Sequence, residues 1–222
     1  FTLLFAPGKT GKSILAAQLS DALGQGAGIL GSTPDRAWRV LYVQADASRV
    51  EWQDQLRSIL PGEAHFATCC PPKYWLDLEP EKSRVRSAIK ESQAEFVWFD
   101  ALDGLSAAHN VESLDGFKAL DSRLRPMMGE SPYGIIHHPR RPQAIVEYDQ
   151  NNPRNTYAGS RSLLASAAGL IALEWDEALS IGTARIINRF RPDKTMYLSR
   201  DPVGRWELAT PLTRRAPPRL EV

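Results

Sequence analysis

Phe1 to Leu15 reads FTLLFAPGKTGKSIL: an apolar run, a glycine-bearing turn and the opening of a helix. Ala6, Pro7, Gly8, Lys9, Thr10, Gly11, Lys12 and Ser13 form the P-loop pattern with Ala in place of the first Gly. In such a loop successive backbone N–H groups turn inward as an anion nest, the helix N-terminus adds its dipole, and glycines allow phosphate to approach closely. Lys12 is expected to reach the β and γ phosphates of a nucleotide and Ser13 to hold Mg²⁺, with Ala6 to Ile14 as the nucleotide-binding segment. The alternative is a Gly-Lys-Ser in an ordinary surface loop, against which stand the strand before it and the helix after it.

Glu95-Phe-Val-Trp-Phe-Asp100 is an apolar strand ending in a carboxylate, the arrangement that holds a nucleotide's metal ion. Asp100 is the expected metal residue. Asp103 lies nearby but is expected to point elsewhere; alternatively both carboxylates cap the next helix. His137 and His138 close a further apolar strand. Two adjacent His can read as zinc ligands, yet neither a Cys nor a carboxylate stands at ligand spacing beside them.

These residues need a scaffold that brings strand ends together. Short apolar runs alternate with amphipathic stretches, the pattern of a parallel α/β sheet with crossover helices, and ligands of such sheets sit at the carboxyl ends of strands. The pattern predicts strands at Phe1–Phe5, Val40–Gln44, His65–Thr68, Phe96–Asp100, Tyr133–His137, Leu170–Trp175, Thr183–Phe190, Thr195–Arg200 and Arg205–Ala209. It predicts helices at Lys12–Leu23, Ser48–Leu60, Glu79–Gln93, Ser113–Met128 and Ser160–Gly169. Asp201-Pro-Val-Gly204 signals a turn, so the last strands form an antiparallel edge. Long polar loops are expected at Gly24–Arg36 and Pro139–Tyr157.

The 222 residues carry 27 Lys and Arg against 26 Asp and Glu, a net charge of +1 that excludes a strongly cationic nucleic-acid binder. With 43% hydrophobic and 24% charged residues the chain is an ordinary globular protein, and its length fits one core, residues 1–210, with a Pro/Arg-rich tail at 211–222. The longest apolar stretch, Leu163–Leu173, is too short to span a bilayer, and the first residues lack the features of a signal peptide; they read as a domain interior cut off upstream. Cys69 and Cys70 are adjacent and cannot staple a loop, so a reducing cytoplasm is expected.

In order and spacing these motifs resemble the RecA-like ATPases, in particular the RepA-type hexameric replicative helicases. The resemblance rests on the P-loop, Leu41-Tyr-Val-Gln-Ala-Asp46-Ala-Ser48, the Asp100 strand and Tyr133-Gly-Ile-Ile-His137-His138-Pro-Arg140-Arg141, supported by Tyr157–Ala168 and Ile187-Asn-Arg189-Phe-Arg-Pro192. It implies that Asp46 takes the place of the family's catalytic Glu, orienting the water that attacks the γ phosphate. Asp is one methylene shorter, and misplacement by about 1 Å can cost ~10²-fold in rate. The alternative for Asp46 is an N-cap of the following helix. By the same resemblance His138 senses the γ phosphate while His137 packs into the sheet, and Arg189 is the finger inserted into a neighbouring subunit's site. The Lys expected beside that finger is Ile187, for which Arg191 or Arg161 could compensate; the alternative for Arg189 is a solvated strand residue.

The loop Pro139–Tyr157 matches the family's channel loop, with Arg140, Arg141 and Arg154 for DNA phosphates and Tyr148 and Tyr157 for stacking. Its alternative is a plain interface loop. Together these readings imply a ring-forming, Mg²⁺- and ATP-dependent helicase on single-stranded DNA. The alternatives are an ATP-gated assembly module, motivated by Asp46, or a recombinase-like filament.

Overall fold

The structure is a computed structural model that describes residues 1–107, 114–138 and 166–209. One sheet of nine strands organises it, in the order β3-β2-β4-β5-β1-β6-β7-β8-β9. The strands are β1 (Thr2–Phe5), β2 (Val40–Gln44), β3 (Ala67–Cys69), β4 (Phe96–Asp100), β5 (Tyr133–His137), β6 (Gly169–Asp176), β7 (Ile181–Asn188), β8 (Lys194–Arg200) and β9 (Trp206–Leu208). β3 through β6 in that order run parallel, and β7, β8 and β9 add on antiparallel. The helices are α1 (Lys12–Gln25), α2 (Arg49–Ile59), α3 (Glu79–Glu91) and α4 (Leu114–Met128).

The central strands are apolar throughout because both faces are covered. Along β1, β2 and β4 alternate residues enter opposite cores. Leu3, Leu41, Val43, Val97 and Phe99 pack with Val85 of α3 and Phe117, Leu120 and Leu124 of α4. Leu4, Tyr42 and Trp98 pack with Leu15 and Ala16 of α1, with Trp52, Leu56 and Ile59 of α2, and with Met196, Leu198 and Trp206 of the antiparallel strands. Each fully buried side chain of this size contributes about 1.5–3 kcal/mol, so the layers are held mainly by these two cores.

Several expected boundaries move, for local reasons. α1 runs two residues past Leu23 and stops at Gly26, whose left-handed φ of 69° lets its N–H reach the Ala22 and Leu23 carbonyls. His65 does not open β3; its N–H and ring engage the Asp21 carboxylate, and the strand begins at Ala67. Of the expected helix 160–169 only the end is described, and there Gly169 opens β6, paired with Thr2. The expected Asp201–Gly204 turn is present, with Asp201 Oδ1 accepting from the Val203 and Arg205 N–H groups.

Candidate active site at the carboxyl edge of the sheet

Register brings the candidate residues to one edge. Gln44 pairs with Asp100, Asp100 with Ile136, and Phe5 with His137, so the ends of β1, β2, β4 and β5 lie side by side. From those ends emerge the P-loop, Asp46, Asp100 and His138, in the crevice where open parallel sheets bind ligands.

The P-loop enters α1 through Gly11, at φ 79°, and no side chain caps the helix. The contrast with α2 is informative, because there Ser48 and Glu51 form a reciprocal capping box that consumes the first N–H groups. Ser48, not Asp46, is therefore the cap of α2, and Asp46 is left for other work. At α1 the uncapped N–H groups and the helix dipole remain for an anion. Thr10 Oγ1 donates to the Pro7 carbonyl at 2.6 Å, which closes the loop, and Lys12 Nζ donates to the same carbonyl at 2.5 Å. Lys12 is 2% exposed, and burial lowers its pKa from 10.5 to about 8, opposed by Asp100 and Asp103.

Asp100 is 1% exposed, and burial raises its pKa. Two donors from alternate positions of β2 hold its Oδ2: Tyr42 Oη at 2.7 Å and Gln44 Nε2 at 3.0 Å. Tyr42 is itself held protonated by burial and by this carboxylate, so it remains a donor. Oδ1 of Asp100 is buried without a hydrogen-bond partner. Gln44 does a second thing: its Oε1 accepts from the Asp46 N–H at 2.8 Å. One amide thus fixes the buried Asp100 carboxylate and the backbone carrying Asp46.

The Asp46 carboxylate reaches the cluster despite its length. Ligand atoms of Asp46, Asp100 and His138 all lie within 4.8 Å of one another. Part of the reason is Gly104, where a Cβ would stand 3.2 Å from Asp46 Oδ1. That same oxygen is 3.2 Å from Lys73 Nζ, while Oδ2 is 3.8 Å from His138 Nε2. His138 is half-buried; burial lowers its pKa, aided by Lys12 and opposed by Asp100, Asp103 and Asp46. The net effect favours the neutral imidazole. His137 is 3% exposed, with its ring 5.6 Å from that of Phe5.

Two expectations from the sequence change here. Asp103 does not point away: it lies on the tight turn Leu102–Gly104 and acts electrostatically on Lys12, Lys73 and His138. Carboxylates do accompany the second His, supplied by β4 and the end of β2, not by neighbours in sequence. Lys73 and Gln44 were not foreseen. Gln44 left a signal, since a polar side chain in a buried strand must be partnered.

A brace behind the P-loop also escaped the sequence reading. Arg200 lies over the rings of Trp175 and Trp206, 4.4 Å from each, and donates from Nη2 to the Thr10 carbonyl at 2.6 Å. Trp206 Nε1 donates to the Gly11 carbonyl at 3.0 Å. The Gln18 amide of α1 exchanges hydrogen bonds with the Trp206 backbone, tying the helix to β9.

Arg189 is exposed and leaves the sheet just after β7, whose last residue, Asn188, pairs with Gly169. Gly169 in turn pairs with Thr2, at the end of β1 opposite the P-loop. Ile187 is buried in the core. Arg140, Arg141, Tyr148, Arg154, Tyr157 and Arg161 lie outside the described residues. No helix among the described residues is long and apolar enough to cross a membrane.

The fold is similar to that of a KaiC-like protein from the hyperthermophilic archaeon Pyrococcus horikoshii OT3, with a TM-score of 0.58 and 14% identity over 93% of this chain and 88% of that one. No curated protein matches significantly in sequence. The profile of the AAA_25 family of AAA domains matches residues 1–140, which include the P-loop, Asp46, Asp100 and His138. With its mostly parallel sheet and antiparallel last strands, the chain is a RecA-like P-loop domain that belongs to the AAA_25 family of AAA domains.

Proposed function

We propose that the domain binds Mg-ATP and hydrolyses it at the carboxyl edge of the sheet. The observation that carries this reading is the meeting of the uncapped α1 N-terminus, buried Lys12, and the Asp46, Asp100 and His138 cluster at one edge. The P-loop segment from Ala6 to Ile14 receives the phosphates. Ser13 and Asp100 suit Mg²⁺, because the unpartnered Oδ1 of Asp100 supplies a buried acceptor, and the ion there would neutralise charge on the phosphate oxygens. Asp46 orients water and accepts its proton, and neutral His138 offers a hydrogen bond to the γ phosphate. Lys12 stabilises charge on the transferring group.

Arg189 sits at the opposite end of β1 from its own P-loop, which suits a finger inserted into a neighbour's site and hence a homo-oligomer. The finer reading, a RepA-like hexameric ring translocating on single-stranded DNA through Arg140, Arg141 and Arg154, rests on the resemblance of motifs. A second reading, an ATP-gated assembly switch with slow turnover, is favoured by the Lys73 ion pair that occupies Asp46. Calorimetry on Lys12→Ala tests the shared core: ATP binding is expected to be lost, and unchanged affinity refutes the site. Stimulation of hydrolysis by an oligonucleotide then favours the motor, whereas oligomer size that follows ATP without turnover favours the switch.

A further inference from the structure

We infer that Asp46, Asp100 and His138 form a binding site for a borderline divalent transition ion, of the Zn²⁺ or Co²⁺ kind, that fills without nucleotide. The inference needs this cluster alone and stands whether or not the domain hydrolyses ATP; it concerns the nucleotide-free state, and the Asp100 oxygen passes to Mg²⁺ only when nucleotide phosphates bring that ion in.

Spacing is the first argument. His138 Nε2 and Asp46 Oδ2 are 3.8 Å apart, and the three ligand atoms fall within 4.8 Å of one another. A point equidistant from three atoms so spaced lies about 2.2–2.6 Å from each, against roughly 2.0–2.2 Å for Zn–N and Zn–O bonds, so shifts of a few tenths of an ångström complete the contact. The second argument is independent of spacing. Asp100 is 1% exposed, its Oδ2 is taken by Tyr42 and Gln44, and its Oδ1 has no partner at hydrogen-bond geometry, although the Ser13 hydroxyl also favours the charged carboxylate. A buried carboxylate oxygen without a donor is costly, and a cation is the partner that relieves it.

Charge points the same way. Three carboxylates, Asp46, Asp100 and Asp103, face two ammonium groups, Lys12 and Lys73, and Oδ1 of Asp103 is also buried without a partner. Lys73 engages Oδ1 of Asp46 and leaves Oδ2 turned to His138, so it opposes a metal ion by charge and not by blocking the ligand atom. The imidazole sets the selectivity. Mg²⁺ favours oxygen ligands and keeps its water, whereas a mixed nitrogen and oxygen set favours the later first-row ions. Three protein ligands leave a fourth position for water.

The ligands are fixed by the fold. Gln44 holds both Asp100 and the Asp46 backbone. His138 follows directly on β5.

The test is titration of the nucleotide-free protein with Co²⁺, followed by visible absorption and calorimetry, with Mg²⁺ as competitor. One ion is expected per chain, with d–d bands of nitrogen and oxygen ligation and no thiolate charge-transfer band, which separates this site from Cys69 and Cys70. Excess Mg²⁺ is expected not to displace it. His138→Ala is expected to weaken Co²⁺ by at least ~10-fold. Lys73→Ala is expected to tighten it, and circular dichroism checks that each variant is folded. ATP affinity of the same samples is measured separately, so loss of ATP binding with Co²⁺ retained counts against the proposed function alone. Absence of a d–d spectrum at millimolar Co²⁺, equal affinity in folded His138→Ala, or displacement by equimolar Mg²⁺ overturns the inference.

Discussion

Nucleotide binding is expected to take up protons, and the amount follows from Lys12. Burial brings its pKa down to about 8, so in the free protein the ammonium is about half formed at pH 8. Bound phosphates at contact distance favour the charged form and lift the pKa well above that value. Uptake per ATP should therefore be about 0.1 proton at pH 7, about 0.5 at pH 8 and about 0.9 at pH 9. At pH 8 and above the terminal phosphate of ATP is fully ionised and contributes little. Calorimetry in two buffers of different ionisation enthalpy measures the number directly. Lys12→Arg keeps the charge at every pH and should show no uptake. The free protein supplies a second test. Between about pH 8 and 10.5 the unfolded chain holds the Lys12 proton and the folded chain does not, so stability rises with pH across that window, by at most about 3 kcal/mol, and is lowest below it. Lys12→Met should flatten this rise in urea titrations. Uptake near zero at pH 8 to 9, or equal uptake in Lys12→Arg, refutes the argument.

Two further outcomes follow from the same site. Asp100→Asn removes a desolvated charge but keeps an acceptor for Tyr42 and Gln44, so the free protein should gain ~1 kcal/mol, or about 2–4 °C in melting temperature by calorimetry, while turnover is lost. Gly11→Ala places a Cβ 3.2 Å from Trp206 Nε1 and 3.3 Å from Arg200 Nη2, at a φ of 79°, and should cost about 2 kcal/mol in urea denaturation together with ATP affinity. Unchanged stability in Gly11→Ala would mean that the brace yields freely.

What the sequence reveals of this site depends on how far apart the partners lie along the chain. β2, β4 and β5 announce themselves because alternate apolar residues feed two cores, and the residues at or just past their ends, Asp46, Asp100 and His138, then fall at one edge. The P-loop is a local pattern, readable in eight residues from Ala6 to Ser13. Lys73 lies between β3 and α3, where no periodicity says which way a side chain turns, and it meets Asp46 only because the Tyr74 and Leu76 N–H groups bond the Gly104 and Leu105 carbonyls. Asp103 follows the same rule: the chain closes a tight turn at Leu102–Gly104, and no periodicity in the sequence says where that turn aims its carboxylate. The contact between Arg200 and Thr10 spans 190 positions, beyond any spacing rule.

That brace has a consequence for how the domain comes into being. The P-loop leaves β1 at the start of the described chain, yet the Trp206 bond that holds Gly11 comes from 195 residues downstream. During synthesis the phosphate loop therefore emerges long before β8 and β9 exist to back it. Contacts of such sequence separation close late. A nascent chain carries every residue of the nest but not the strands that back it, so competence to hold nucleotide is expected to arrive with the last hairpin. A nucleotide that binds the finished fold alone would then favour docking of the final strands by mass action.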